Sequence, residues 1–182
     1  MPLRLCGGIL VAAAQRPDIS GTWELTGGPA QPSFERARPQ TGAPTPCDSD
    51  AAQIRLLRIY AQPPQRFTVI RSDTAVVITG AAGSSNTFHP DGREEKASLG
   101  GLEVGYRARW ATDGVLVIEW KPQFGGTTVE TYTPSGSEPL LQLDLTVEHP
   151  VLSQPARQRF SYRRVAERRD PGVPAAGLRT WG

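Results

Sequence analysis

From residue 66 onward, apolar and polar residues alternate with a period of two. Neighbouring side chains of an extended chain point to opposite faces, so this alternation predicts half-buried strands. Phe67 to Ile70, Thr74 to Thr79, Asn86 to His89, Glu103 to Trp110, Val115 to Trp120, Thr127 to Thr133, Leu140 to Val147 and Gln158 to Val165 all read this way. The segments between them carry turn chemistry. Ser72-Asp73, Gly80 to Ser84, Pro90-Asp91-Gly92, Thr112-Asp113-Gly114, Gly125-Gly126 and Pro134 to Ser137 supply fixed or positive φ, or side chains that bond their own backbone. Upstream, Ile19 to Leu25 also alternates, with Ile19, Gly21, Trp23 and Leu25 on one face, and predicts a first strand.

One stretch has helical spacing instead. Asp48, Ser49 and Asp50 offer N-caps. An apolar stripe of Ile54, Leu57 and Tyr60, or Leu56 and Ile59, follows until Pro63-Pro64 stops it. This predicts a helix over about 50–61. Residues 27–47, rich in Gly, Pro, Gln and Arg, predict a long surface loop ahead of it. About nine short strands, closely spaced, with one early helix, predict an all-β, antiparallel up-and-down barrel of about 8–10 strands.

Composition narrows the classes. The 182 residues fit one domain with a core of its own. The 19 Gly and 17 Pro suit many short elements and argue against long helices. With 20 Lys and Arg against 18 Asp and Glu, net charge is +2, which leaves no strong field for nucleic acid. No run of 18 apolar residues predicts a membrane-spanning helix. Residues 1–14 read as an export signal, with Arg4, the apolar Leu5 to Val11, and Ala12 to Ala14 before a cleavage at Gln15. Export places the protein in the periplasm or beyond. Cys6 is then removed and Cys47 stands alone, with no basic neighbour to activate it. A lipidated Cys6 fits less well, because the apolar stretch follows it instead of preceding it; a disordered leader is the third reading. The barrel domain then covers 15–166, and 167–182 reads as a loose tail whose Trp181 could dock.

These features resemble a family. Gly21-Thr22-Trp23 on the first strand, followed by a long loop and a train of hairpins, resembles the opening of a lipocalin-like (calycin) barrel. The resemblance implies that Trp23 packs at a closed end under an Arg of the last strand, here Arg163 or Arg164. A guanidinium stacked on indole is favourable, and it ties the first strand to the last. More narrowly, the chain resembles an uncharacterised, exported bacterial lipocalin-like family. Shared features are the Ile19-Ser20-Gly21-Thr22-Trp23 start, the Asp91-Gly92-Arg93 turn, the Trp110 to Gly114 hairpin and the Leu143 to Pro150 strand and loop. It departs from the familiar pattern in its long loop and in a helix that precedes most of the barrel.

Candidate chemistry is sparse. His89 and His149 are the two histidines; Asp91 and Glu148 lie near them, but no HxH or HxxxH spacing exists, and no metal site is expected. No Gly-x-Ser-x-Gly selects a nucleophile. The Gly-rich pieces at 80–83 and 100–101 precede no helix and read as turns, with no cofactor implied. Arg107, Arg109, Glu119, Glu130, Asp144 and Arg163 sit on strands. Alternation allows them to face water around an apolar core, or to line a polar lumen; solvated pairs are the commoner case. The aromatic residues Phe88, Tyr106, Trp110, Trp120, Tyr132 and Tyr162 are the candidate ligand contacts, with Arg107 or Arg109 to steady a polar head group. Trp23, Arg163 and Arg164 are assigned to structure. The leading expectation is non-catalytic binding of a small apolar or amphipathic molecule. A filled barrel using the 27–60 loop and helix as an interface is the second. An enzyme using His89, Glu119 or Glu130 as acid or base is the third.

Overall fold

Alternation of apolar and polar residues drives ten strands into one antiparallel sheet that curls on itself. The computed structural model describes residues 18–29, 34, 53–58, 61–99, 102–111, 114–123, 125–135 and 139–166. Its strands are β1 (Gly21–Gly27), β2 (Arg66–Arg71), β3 (Val76–Gly80), β4 (Ser85–Phe88), β5 (Asp91–Leu99), β6 (Leu102–Trp110), β7 (Leu116–Lys121), β8 (Thr127–Pro134), β9 (Leu140–Glu148) and β10 (Ala156–Val165). Each pairs with its chain neighbour, except that β1 also pairs with β10 and that β4 and β5 terminate the sheet. Those two ends follow one another in the chain and come together, so the barrel is nearly closed. This is an all-β, lipocalin-like barrel with one short helix, α1, described over residues 53–58.

One residue set fills the inside. Trp23, Phe67, Val69, Val76, Phe88, Tyr106, Leu116, Ile118, Leu141, Leu143, Phe160 and Tyr162 are all buried in one cluster. They alternate along their strands with exposed or half-buried polar residues, as in β9, whose burial switches at every position. Burial of such side chains is worth about 1.5–3 kcal/mol each. The β1–β2 and β3–β4 connections lie at opposite ends from the β2–β3 turn, so α1, set between β1 and β2, covers one end. Its Leu57, and Ala61 just after it, belong to the core cluster, and Phe34 packs against it from the preceding segment. The far end is closed by Ile19 and Trp23; the Trp23 Nε1–H donates to the Ile19 carbonyl at 2.9 Å.

The structure corrects the expected elements in two places. Strand β1 begins at Gly21, although Ile19 is buried as expected. Pro90-Asp91-Gly92 does not form the whole turn, because Asp91 already opens β5. The Asp-Gly pair there makes a bulge instead: pairing with β6 slips between Asp91 and Glu94, Gly92 has φ 86°, and Asp91 Oδ1 accepts the Arg93 N–H. Strand β5 is charged on its outer side, which hides its period. Such charge is how an edge strand resists pairing with another chain. The expected export signal, Cys6, Cys47, most of the 27–47 loop, the N-caps at 48–50 and the 167–182 tail lie outside the described residues.

Candidate functional site

Five of the six aromatic candidates line the interior. Phe88 packs edge-on against Tyr106 (5.1 Å between ring centres) and Trp120 (5.5 Å), and Tyr106 lies 5.8 Å from Trp120. Phe67 joins Tyr162 (4.9 Å) and Tyr132 (6.1 Å) in a second group. Trp110 is half-buried at the closed end, where the Arg71 guanidinium stands 4.7 Å over its ring. At the same end Arg164 stands 5.0 Å over Trp23 and donates from Nη2 to the Asp18 carbonyl at 2.6 Å. Arg163, one residue earlier, is exposed.

Arg107 and Arg109 do not reach the interior. They alternate with the inward Tyr106 and Ala108, so the pleat sends both to the outer face, where they are exposed. Arg107 Nη2 lies 3.7 Å from Glu94. Neither can steady a head group inside the barrel. Of the charged strand residues weighed from sequence, Glu119, Asp144 and Arg163 also lie on the outward register, and Asp144 holds Arg159 at 2.6 Å.

Glu130 is different. On β8 the inward positions are Thr128, Glu130 and Tyr132, with Thr128 and Tyr132 buried. Glu130 is surrounded by protein, and burial pushes its carboxyl above the ordinary carboxylate range. The residue is half-buried rather than fully enclosed. Its Oε2 accepts the Tyr132 hydroxyl at 2.9 Å. Burial first, and then the Glu130 charge, push the Tyr132 phenol well up.

Two further polar groups share this level. The Trp120 indole N–H approaches Glu130 closely enough to favour its anion, yet completes no hydrogen bond and is buried. Gln158 on β10 pairs with Leu145, as Glu130 does from the other side. Two strand spacings, about 10 Å, therefore separate the two backbones. Neither Gln158 Oε1 nor Nε2 has a hydrogen-bond partner, and both are buried. An unpaired buried polar group costs about 1–3 kcal/mol. Gln158 was not among the residues singled out from sequence; its place between Ala156 and Phe160 on the inward register is the signal that could have found it. Around this level, toward α1, Leu25, Ile78, Ala97 and Ala156 are also only partly buried. At the far end, by contrast, Ile19, Trp23 and Val76 are fully buried.

A second cluster sits where β4 meets β5. The Tyr106 hydroxyl donates to Glu95 and approaches the Thr87 carbonyl at 3.2 Å. His89 Nδ1 lies 2.9 Å from Glu95 Oε2, and Arg93 Nη2 lies 3.6 Å from Oε1. The hydrogen bonds from Tyr106 and His89 hold the Glu95 carboxyl below its usual range, and burial with the Glu95 charge pushes the Tyr106 phenol up to about 12. These side chains stitch the seam of the barrel, so His89 is a seam residue. Outside the barrel, an open cavity of about 460 Å³ is bounded by Thr127, Glu148, His149, Leu152 and Gln154. It holds none of the expected ligand residues. Among the described residues, no group of three or more His, Cys, Asp or Glu could hold a metal ion.

No family model matches the chain, and no curated protein matches it. Among solved structures, the barrel is similar to that of a secretary abundant heat soluble (SAHS) protein from Ramazzottius varieornatus. The TM-score is 0.51 at 16% identity, over 81% of this chain and 95% of that chain. At that identity the likeness is one of fold.

Proposed function

We propose that the barrel is a non-catalytic binder of one small amphipathic molecule, taken into the α1 half of its interior. The observation that carries this reading is the level of Glu130, Trp120 and Gln158: an acceptor, a donor and an amide, enclosed by apolar walls and left without full partners. A mostly apolar pocket with a few convergent polar groups is the usual form of a small-molecule site. The occupant is small, because aromatic side chains already fill the closed-end half. Phe88, Tyr106, Trp120, Tyr132 and Tyr162 supply its walls. Export, argued from residues 1–14 alone, is carried as part of this proposal.

The test is native mass spectrometry of the protein purified without denaturation, followed by denaturing extraction. A discrete adduct of a few hundred daltons or less, released on unfolding, is the expected result. A clean apo mass that stays unshifted against a panel of small amphiphiles contradicts it. The near-complete burial of the aromatic core favours a second reading, a filled barrel whose outer surface and α1 region meet a partner. Deleting the loop ahead of α1 separates the two: adduct formation survives under the first, and partner capture is lost under the second.

A further inference from the structure

The interior has an unusual charge balance. The inward groups facing Glu130 are Trp120 and Ile118 from β7, Thr128 and Tyr132 from β8, Leu145 from β9, and Gln158 and Tyr162 from β10. Among these described neighbours there is no cation. Arg71 and Arg164, the arginines on the inward register, are at the closed end over Trp110 and Trp23. Glu130 is therefore a carboxyl set deep in an apolar interior, held by one phenol and approached by one indole. A buried carboxylate without a counter-charge is costly, and a protonated amine in contact with it offsets that cost. An anionic head group would bring a second negative charge and meet no guanidinium or ammonium there. Gln158 Oε1 adds an unpaired acceptor at the same level.

We propose that the occupant is a small aliphatic or aromatic amine, bound as its ammonium ion, with the Glu130 carboxylate as its counter-ion. The inference rests on the lumen reading above and names the ligand class for it. The proton balance is explicit. Burial raises the Glu130 carboxyl above its ordinary range in the free barrel, and an ammonium beside it favours the carboxylate, so whatever proton the carboxyl carries leaves to solvent as R–NH3+ arrives. No bond to carbon forms or breaks. Binding accordingly strengthens as pH rises, until the amine itself loses its charge.

The experiment titrates the full chain with three probes of one skeleton, octylamine, octanol and octanoate, by isothermal calorimetry at pH 7. Octylamine is expected to bind at least tenfold more tightly than either of the others. Glu130→Gln should bring octylamine to the level of octanol and leave octanol unchanged. Repeating the wild-type amine titration in two buffers of different ionisation enthalpy should show no net proton uptake, a readout that needs no variant. If octanol or octanoate binds wild type as tightly as octylamine, or if protons are taken up, the amine assignment is overturned while the lumen reading stands. If the folded wild-type protein binds none of the three, both fail.

Discussion

Two tryptophans show how much a single hydrogen bond decides at this fold's interior. Trp23 is 1% exposed and its N–H is satisfied by the Ile19 carbonyl, with Arg164 over the ring. Trp120 is 4% exposed and its N–H has no partner. Replacing each by Phe removes similar aromatic area, so the difference reports the N–H bond together with the arginine stack. Trp23→Phe leaves a buried carbonyl unpaired and loses the arginine stack; it should cost about 1–3 kcal/mol. Trp120→Phe removes a donor that bonds nothing and should cost clearly less. Denaturant melts with unchanged m-values measure both, and equal losses would contradict the difference in bonding. Glu130 belongs at this scale too. Whether it faced water or the lumen was open in the sequence, because Thr-Thr-Val-Glu-Thr-Tyr-Thr places Val129 on one face and Tyr132 on the other. Burial of the larger Tyr132 settles the register, and Glu130 follows it inside.

Strands differ in how plainly they announce themselves. β6, β9 and β10 alternate apolar with polar residues and were legible from sequence, because each has one wet and one dry face. β5 was not, because it ends the sheet and carries Glu94 and Lys96 outward around an inward Glu95 and Ala97. Its job is to meet β4 through side chains, and that depends on a fold the local sequence does not display. The seam makes a pH prediction. Glu95's carboxyl is held below 4.5 in the folded protein, by Tyr106 first and His89 second. Its contribution is therefore present above about pH 4.5 and is lost as pH falls through the depressed folded value. Glu95→Gln should lower the melting temperature at pH 7, and the gap to wild type should narrow steadily from pH 5 to pH 3. A gap that persists unchanged at pH 3 would mean that the seam is not held by the carboxylate.

For the molecule as a whole, the first-to-last strand closure and the meander order of nine of the ten strands were foreseeable, since hairpins in series with one early helix leave few other topologies. Site placement was foreseeable only in part: the aromatic lining followed from alternation, whereas the polar level joins Trp120 and Glu130 of the β7–β8 hairpin to Gln158 of β10, across β9. The likeness in fold to the SAHS protein at 16% identity extends over most of both chains and leaves the occupant to be decided by this interior. Fold by itself does not assign function. The measurement that decides it is a ¹H–¹⁵N spectrum of the indole N–H groups, recorded while octylamine, octanol and octanoate are added in turn. Occupancy of the lumen predicts that the Trp120 indole resonance shifts with saturation for at least one probe, while the Trp23 indole, bonded to Ile19 at the closed end, stays in place. A Trp120 resonance that never moves, with the protein folded throughout, would contradict a ligand-binding interior.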